Sequence, residues 1–371
     1  MMTDKISWFE LYNSDELISP SLLVYPDRVI KNTELMIKMA RHPKRLRPHI
    51  KTHKMAEVIE IQMNLGIYKF KCATLAEAEL LAICQAEDVL LAMQPVAIQI
   101  KRFCDLIESY PRTRFSTLVD SDFSFQNISK EASLRNIKLE LWLDINNGMN
   151  RTGIKPGKQA QKLYKRLSED PQIVLRGLHI YDGHIHTSDP VKRQMECDRD
   201  FAPVLEMKNE LETEGYPVKK MVTGGTPTFP IHEKRENAEL SPGTTLLWDE
   251  GYGSTYADLT FIPAAVLFTR IVSKPGSDLL CFDLGHKSVA SEMTLPRVRF
   301  LGNHEFEQVS QSEEHLVVRC PNAEQYQLGD AFYALPFHIC PTVAKYPQVL
   351  TVKDHAITGS WRVAARDHTL N

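Results

Sequence analysis

The residue best placed to do chemistry is a lysine at the end of a short apolar segment. Lys51 lies in the string RPHIKTHK, where His49 and His53 flank it at a spacing of two. In an extended strand these three side chains would lie on one face, and Lys54 adds a further positive charge. Crowded positive charge favours the unprotonated amine, which is the form that attacks a carbonyl carbon to make a Schiff base. A surface lysine at a strand end is the alternative interpretation.

A second string, TGGTP, has the composition of an anion cradle. Gly224 and Gly225 would let backbone N–H groups approach an anion closely, while Thr223 and Thr226 add hydroxyl groups. A Gly-Gly turn is common, so this string alone is weak evidence. A Schiff-base lysine and a phosphate cup are together what pyridoxal phosphate (PLP) requires. The two strings in combination therefore predict a PLP site.

A third string, HIC, carries two groups that bind metals. His338 and Cys340 are one residue apart in a β-like run, so both side chains would point the same way. Imidazole and thiolate together suit zinc. Two protein ligands are too few for a closed structural site, so the string indicates an open metal that a substrate can reach. A chance HxC in a strand is the alternative.

The elements that must position these groups alternate between strand and helix. Eight apolar strand-like runs lie between residues 21 and 225, with helical patterns between them: 21–26, 46–51, 69–74, 88–93, 115–120, 139–146, 174–182 and 219–225. Such alternation predicts a parallel sheet covered by helices, and eight units close into a (βα)8 TIM-type barrel. Two alternatives stay open. The first run could belong to another domain, with 239–248 as the eighth strand, or the sheet could be open and doubly wound, although no GxGxxG or P-loop string occurs.

Beyond about residue 255 the pattern changes to short β-rich runs punctuated by Pro and Gly. This predicts an α/β barrel domain over 19–255 and a mostly-β domain over 256–371, with residues 1–18 packing on the latter. Polar strings follow four of the barrel strands. They would meet at the C-terminal rim, which is where barrel enzymes carry their active groups.

Composition excludes several classes of protein. Among 371 residues, 44 Lys and Arg face 47 Asp and Glu, a formal net charge of -3, so no basic excess favours nucleic acid. No apolar run reaches the roughly 18 residues that would span a membrane. The acidic start does not read as a signal peptide. Seven scattered cysteines without a CxxC pair indicate a reducing compartment. We therefore expect a cytoplasmic protein without a membrane or nucleic-acid partner.

Taken together, the strings resemble a known family. SLLVYPDRVIKN, RPHIKTHK, LDINNGMNRTG, GLHIYDGH, TGGTPTF, LSPGTT, FDLGHKS and LPFHICPTV occur in this order. The chain resembles the PLP-dependent D-threonine aldolase and eukaryotic-type D-serine dehydratase family, relatives of alanine racemase (fold type III). The resemblance implies a PLP barrel, a C-terminal β domain and a homodimer.

The resemblance also implies roles for individual residues. Lys51, not Lys54, would be the Schiff-base lysine, and His184 a second catalytic group. Arg151 would hold the phenolic oxygen of PLP as an anion and polarise the imine. The phosphate cup would consist of Thr223, Gly224 and Gly225, completed by Gly243 and Thr244. Tyr181 would line the site. His338 and Cys340 would bind a divalent metal, zinc or alternatively manganese.

These roles predict a lyase that acts on D-configured β-hydroxy amino acids. Retro-aldol cleavage would convert D-threonine to glycine and acetaldehyde. β-Elimination of D-serine or D-3-hydroxyaspartate to a 2-oxo acid and ammonia is the alternative, and Cys340 resembles that branch. A racemase would need a second base that we do not identify. A non-catalytic PLP carrier would not need about 115 residues after the barrel.

Overall fold

The computed structural model describes residues 6–302 and 304–369. Its strands are β1 (Ser21–Val24), β2 (Lys69–Cys72), β3 (Asp88–Leu91), β4 (Arg114–Val119), β5 (Leu139–Ile145), β6 (Ile173–Ile180), β7 (Met221–Thr223), β8 (Ala238–Leu240), β9 (Ala265–Gly276), β10 (Leu279–Phe282), β11 (Val298–Phe300), β12 (Glu307–Gln311), β13 (Leu316–Arg319), β14 (Ala331–Pro336), β15 (Gln348–Lys353) and β16 (Ala356–Arg362). Its α-helices are α1 (Pro26–Ala40), α2 (Ala56–Asn64), α3 (Leu75–Ile83), α4 (Ile98–Ser109), α5 (Asp122–Arg135), α6 (Lys158–Glu169), α7 (Pro190–Thr213), α8 (Phe229–His232), α9 (Glu250–Thr255) and α10 (Ile339–Val343).

The chain divides into two compact units. The barrel unit comprises Glu34–Lys51, Ile59–Gly243 and the residues from Asp367 onward. The β unit comprises the residues up to Thr33, Thr52–Val58 and Thr244–Arg366. The predicted ranges 19–255 and 256–371, and the packing of residues 1–18 on the latter, stay predictions; residues 1–5, 303 and 370–371 lie outside the described residues.

The barrel unit is built on a parallel sheet. Over the described residues, strands β2 to β8 pair in sequence order, each parallel to the next. Helices cross between most of the strands, and side-chain caps fix where several begin. Thr74, Ser121 and Asp189 each accept the backbone N–H three residues ahead, which ends the loop after a strand and starts the helix. These three loops at the C-terminal rim are therefore anchored on their helical side.

A segment too irregular to be a strand joins the two edges of this sheet. Leu46 bridges Leu240 of β8, and His49 bridges Lys71 of β2, both in parallel register. The N–H of Arg47 donates to the Leu240 carbonyl at 2.8 Å, and the N–H of Lys71 donates to the Pro48 carbonyl at 2.8 Å. Residues 46–49 thus take the eighth place and close the sheet into a barrel, which confirms the predicted fold class.

The strand count from sequence needs one correction. The run at 21–26 is not the first barrel strand. It forms β1, which lies in the β unit and pairs there with β9 and β15. The structure instead has the alternative arrangement, in which the last barrel strand comes from the later run at 239–248, as β8 (Ala238–Leu240). Periodicity cannot separate these assignments, because an apolar run of four residues fits either sheet.

Inside the N-terminal end of the barrel lies a layer of ion pairs. The Arg47 side chain is fully buried; its Nη1 lies 2.7 Å from Asp88 Oδ1 and its Nε 2.7 Å from Glu239 Oε2. Burial raises the pKa of both carboxyl groups, but Arg47 outweighs this and lowers both, that of Glu239 to about 2. Above this layer the interior is apolar, with Leu90, Trp142 and their neighbours in one cluster.

The β unit contains, within its described part, a mixed nine-stranded sheet of β1 and β9 to β16. One core cluster joins the start of the chain to this sheet, since Phe9 and Leu11 are buried with Val266, Phe268 and Tyr333. The hydroxyl of Tyr333 accepts the N–H of Leu11 at 3.0 Å. In residues 6–302 and 304–369 no helix is both long and apolar enough to cross a membrane.

The buried guanidinium gives a test of barrel closure. We expect Arg47→Met to lower the free energy of unfolding by about 3–5 kcal/mol, because it removes the fully buried cation that both carboxylates share and leaves them the more exposed Arg114, Arg176 and Lys69. Arg41→Met is the matched control, since Arg41 pairs with Glu233 from a side chain that is 75% exposed and such a pair contributes about 0–1 kcal/mol. Urea denaturation of both variants measures the difference, and equal losses would contradict the closure argument.

The same layer predicts how stability depends on pH. The Glu239 pKa of about 2 lies below the roughly 4.3 of an unfolded glutamate, and the Asp88 pKa is lowered as well. Their stabilisation is therefore complete above about pH 5 and is lost as the pH falls toward 2. In Arg47→Met this acid-side loss should shrink, because the strongest pairing that lowers the two pKa values is gone, while Arg114, Arg176 and Lys69 remain.

Candidate active site

Lys51 lies at the end of the closing segment, but not on a strand. Residues Ile50–Thr52 form a 3₁₀ turn, and the Lys51 N–H donates to His49 Nδ1 at 3.2 Å. The expectation that His49 and His53 flank Lys51 on one strand face is therefore wrong, because the turn ends the extended backbone. His53 is buried, and this burial lowers its pKa to about 3, so it is neutral and adds no positive charge.

Three cationic side chains gather around the rim near β6. The guanidinium carbon of Arg151 lies 5.0 Å from the centre of the Tyr181 ring, and Lys71 Nζ lies 5.4 Å from the same centre. Burial and the nearby Lys51 charge lower the pKa of Lys71 to about 7. The sequence prediction included Lys51, Arg151 and Tyr181 but missed Lys71, whose signal was a lysine inside a buried strand run.

The TGGTP string lies directly after β7, on the same rim. Thr223 ends the strand and is fully buried, and its Oγ1 has no hydrogen-bond partner among the described residues. Gly224 has a φ of +75°, and a Cβ there would lie 2.9 Å from His232 Cδ2. A Cβ on Gly225 would lie 3.1 Å from Tyr181 Cε2. Only glycines allow this backbone to run so close to its neighbours.

Two of the predicted phosphate-binding N–H groups have partners inside the barrel unit. The N–H of Gly225 donates to Thr228 Oγ1 and that of Gly243 to Thr226 Oγ1, both at 3.1 Å. Threonine hydroxyls are rotatable, so an anion could replace them as acceptors. Thr244 belongs to the β unit, where its Oγ1 lies 3.7 Å from Cys340 Sγ.

A buried polar cluster lies behind the TGGTP loop. Asp182 accepts the Thr228 hydroxyl at 2.7 Å and lies 2.7 Å from His232 Nε2; Cys197 Sγ lies 3.4 Å from the same nitrogen. Arg235 donates to His232 Nδ1, so Nε2 carries the proton toward Asp182. Across residues 6–302 and 304–369 this is the one group of three His, Cys, Asp or Glu residues spaced to hold a metal. Its hydrogen bonds and the adjacent Arg235 cation indicate a structural cluster instead.

His184 follows β6 and packs on the loop that carries Arg151. Its Nε2 lies 3.0 Å from Asp200 Oδ2, while its Nδ1 is buried and has no hydrogen-bond partner among the described residues. The loop can approach because Gly148 has no side chain, and a Cβ there would lie 2.7 Å from His184 Nε2. Asp200 thus fixes the ring and leaves Nδ1 for another partner.

A carboxylate–imidazole pair lies in the barrel interior beside these groups. Asp144 Oδ1 lies 2.7 Å from His179 Nδ1, and Gln94 donates to Asp144 Oδ2 at 2.8 Å. Burial raises the pKa of Asp144, but the His179 hydrogen bond outweighs it and the pKa is lowered. Burial also lowers the pKa of His179, so the pair is a carboxylate and a neutral imidazole.

The predicted metal pair lies in the β unit, on a helix start instead of a strand. Strand β14 ends at Pro336, His338 is the N-cap of α10, and Cys340 is in its first turn. The β-like expectation for HIC is wrong because the chain turns at Phe337, whose carbonyl accepts the Gly251 N–H. Cys340 nevertheless lies close enough to His338 to raise the pKa of that imidazole.

Acidic groups surround this pair. His338 Nδ1 lies 2.5 Å from Glu292 Oε1, and Asp249 accepts the Ile339 N–H at 3.0 Å. Burial lowers the pKa of His338, but Cys340, Glu292 and Asp249 outweigh it and raise it to about 9. Surroundings that stabilise the protonated His338 imidazole would also stabilise a metal cation, and a nitrogen–sulfur donor set suits zinc. The residues therefore fit a divalent metal.

The residues of the barrel rim likewise fit PLP. The coenzyme needs an amine, an anion cradle and a cation near its ring oxygen. Lys51, the buried Thr223 hydroxyl beside Gly224, and Arg151 offer these groups within one unit.

The crowding at Gly224 can be tested against a control glycine. Gly215 has a similar φ of +87° but nothing within 4 Å of an added Cβ. We expect Gly215→Ala to lower the free energy of unfolding by about 1–2 kcal/mol through backbone strain alone. Gly224→Ala should lose about 1–3 kcal/mol more, because its Cβ also meets His232. Denaturant unfolding measures both, and equal losses would show that the loop has room to relax.

Comparison with known proteins agrees with this geometry. The family model for the N-terminal domain of alanine racemase matches residues 24–250, and one for a putative serine dehydratase domain matches residues 264–352. A D-threonine aldolase from Arthrobacter sp. is 24% identical over 331 residues, covering 88% of this chain and 86% of that protein. A 3-hydroxy-D-aspartate aldolase from Paracoccus denitrificans is 25% identical over 368 residues, covering 95% and 93%.

Solved structures match the fold. The crystal structure of D-threonine aldolase from Filomicrobium marinum has a TM-score of 0.84 at 24% identity, covering 95% of this chain and 96% of that one. A D-threo-3-hydroxyaspartate dehydratase mutant in a metal-free form has a TM-score of 0.82 at 19% identity, covering 94% and 98%. The resemblance found in the sequence is confirmed: with a match over more than half of its length, the chain belongs to the family of the alanine racemase N-terminal domain.

Proposed function

We propose that this chain is a PLP-dependent lyase that acts on D-configured β-hydroxy amino acids and cleaves D-threonine-type substrates to glycine and an aldehyde. The relatives named as a D-threonine aldolase and a 3-hydroxy-D-aspartate aldolase support this class of reaction. The observation that carries the proposal is the convergence on one barrel rim of Lys51, Arg151 beside Tyr181, and a buried Thr223 hydroxyl without a partner.

Residues of the barrel unit would hold the coenzyme. Lys51 would bind its aldehyde carbon covalently, Arg151 its ring oxygen, and Thr223, Gly224 and Gly225 its phosphate. Tyr181 packs closely over Gly225, which restricts how the coenzyme ring can lie. When bound, PLP supplies an electron sink for the bond broken at the substrate Cα.

The chain's own groups would move the protons. Lys51 takes the α-proton in an elimination, whereas a retro-aldol cleavage instead needs the proton of the β-hydroxyl to leave. His184 suits acid–base chemistry, because Asp200 holds one ring nitrogen and the other has no partner among the described residues. His338 and Cys340 would hold a divalent metal, zinc or manganese, which supplies a Lewis acid for the hydroxyl oxygen.

Dehydration is the second candidate reaction. Cys340 resembles the dehydratase branch, and a dehydratase of D-threo-3-hydroxyaspartate shares the fold. Incubation of PLP- and zinc-supplemented protein with D-threonine separates the two reactions. We expect glycine and acetaldehyde, whereas ammonia with 2-oxobutanoate would assign the dehydratase. Accumulation of L-threonine or another stereoisomer without either product would replace the lyase by a racemase.

The lysine assignment has a spectroscopic test. Lys51→Ala should abolish the yellow absorbance of protein-bound PLP, because no amine remains at the right place. Lys54→Ala should keep it, since Lys54 donates to the Ala365 carbonyl at 3.3 Å and is not assigned to the coenzyme. A normal spectrum in Lys51→Ala would transfer the linkage to another amine, with Lys71 as the nearest candidate.

The metal assignment is tested by metal content as well as by turnover. His338→Ala should keep PLP but lose bound metal and activity, and EDTA should inactivate the wild-type protein. His315→Ala, at an exposed histidine, is the control and should keep both. Full activity of metal-free wild-type protein would remove the Lewis acid from the mechanism. The homodimer and the cytoplasmic location stay predictions.

A further inference from the structure

Lys71 is a buried lysine without a counter-ion contact. Its side chain lies on β2 and is 3% exposed, which is rare for a lysine unless it is paired. Among the described residues its Nζ has no hydrogen-bond or ion-pair partner, and its one specific contact is the Tyr181 ring. Lys69, two residues earlier on the same strand, pairs with Glu239 Oε1 at 2.7 Å. The barrel therefore satisfies one lysine of this strand and leaves the other unsatisfied.

The groups around Lys71 carry positive charge that the nearby carboxylates, which have other partners, do not neutralise. The positive charges of Lys51 and Arg151 lower the pKa of Lys71, and the carboxylates of Asp144 and Asp182 raise it. Both carboxylates are already occupied, Asp144 by His179 and Gln94, and Asp182 by Thr228 and His232. Lys51, Lys71 and Arg151 thus lie near one another at a place where the nearby carboxylates already have other partners.

Lysine side chains this little exposed nearly always have a charged partner, so a lysine whose one specific contact is an aromatic ring calls for an explanation. We propose that Lys71 is an anion-binding residue of the barrel rim, and that its ammonium group pairs with an oxyanion of the bound reactants. The proposal rests on the function proposed above, which assigns PLP to the same rim. Lys51 and Arg151 have roles there by family resemblance, whereas Lys71 has none.

Two oxyanions of the reactants fit this chemistry. One is the ring oxygen of the coenzyme, which Arg151 would then share with Lys71. The other is a second carboxylate on the substrate side chain, as in 3-hydroxyaspartate. The lowered pKa of Lys71 supports either source, since an arriving oxyanion would restore the proton that burial and Lys51 disfavour.

The test compares Lys71→Met with Lys69→Met in the full-length protein. PLP affinity is measured by titration of the absorbance, and KM is measured with D-threonine and with D-3-hydroxyaspartate. A charge-assisted hydrogen bond predicts a loss of about ten-fold or more in one of these quantities for Lys71→Met. Lys71→Arg, which keeps the charge, should recover part of the loss. Lys69→Met should leave all three quantities unchanged but unfold at lower urea.

Which of the three quantities changes in Lys71→Met identifies the oxyanion. Weaker PLP binding with unchanged KM values supports the coenzyme ring oxygen. Unchanged PLP binding with a raised KM for D-3-hydroxyaspartate alone supports the substrate carboxylate. Unchanged affinity for all three compounds in Lys71→Met overturns the inference while the proposed function stands. Failure of the wild-type protein to bind PLP overturns both.

Stability separates a binding role from a structural one. Replacing an unpaired buried charge by an apolar side chain of similar length should leave the midpoint of unfolding equal or higher. A Lys71→Met protein that is less stable and binds all three compounds normally would make Lys71 a structural residue and contradict the proposal.

Discussion

Closure of the barrel depends on one buried guanidinium. Residues 46–49 make too few backbone hydrogen bonds to count as a strand, yet they connect β8 to β2. Arg47 compensates with its side chain, because it reaches Asp88 on β3 and Glu239 on β8 at 2.7 Å each. Desolvation of three charges is costly, and their close mutual pairing, together with Lys69, Arg114 and Arg176, offsets it. The position of Lys51, four residues further on, follows from this anchoring.

The two ends of the barrel differ in whether their cations are paired with carboxylates. At the N-terminal end each buried cation has a carboxylate, and this pairing outweighs the effect of burial and holds Asp88 and Glu239 ionised. At the C-terminal rim the carboxylates bind imidazoles and hydroxyls, so the cations are left for a ligand. The proposed function would thus place ligand binding at the end opposite to the ion pairs that stabilise the barrel, as in barrel enzymes generally.

The rim loops are held by packing that leaves little freedom. Gly183 and Gly225 accommodate the Tyr181 ring, since a Cβ on either would lie within about 3.1 Å of it. Asp182 and His232 bond behind the same loops and are almost completely buried. A cradle built in this way is pre-organised, because the hydrogen bonds behind it are already formed before any ligand arrives.

The sequence by itself determined the class of fold, the family and the rim strings. Alternating apolar runs predict a parallel barrel, and strings such as TGGTP and NGMNRTG follow strands whatever the register. It could not assign the run at 21–26, because four apolar residues suit a barrel strand and an edge of the β sheet equally. Nor could the sequence predict that HIC begins a helix, because the turn depends on the hydrogen bond from the Gly251 N–H to the Phe337 carbonyl.

Tertiary structure alone decided which charges are satisfied. Asp182, Cys197 and His232 span fifty residues of sequence and meet only because β6, α7 and α8 pack together. Lys69 and Lys71 have the same residue type on the same strand, yet one meets Glu239 and the other meets a tyrosine ring. Local sequence fixes the residue type and the strand face, but whether a buried charge finds a partner depends on residues far away in the chain, brought near by the closed sheet.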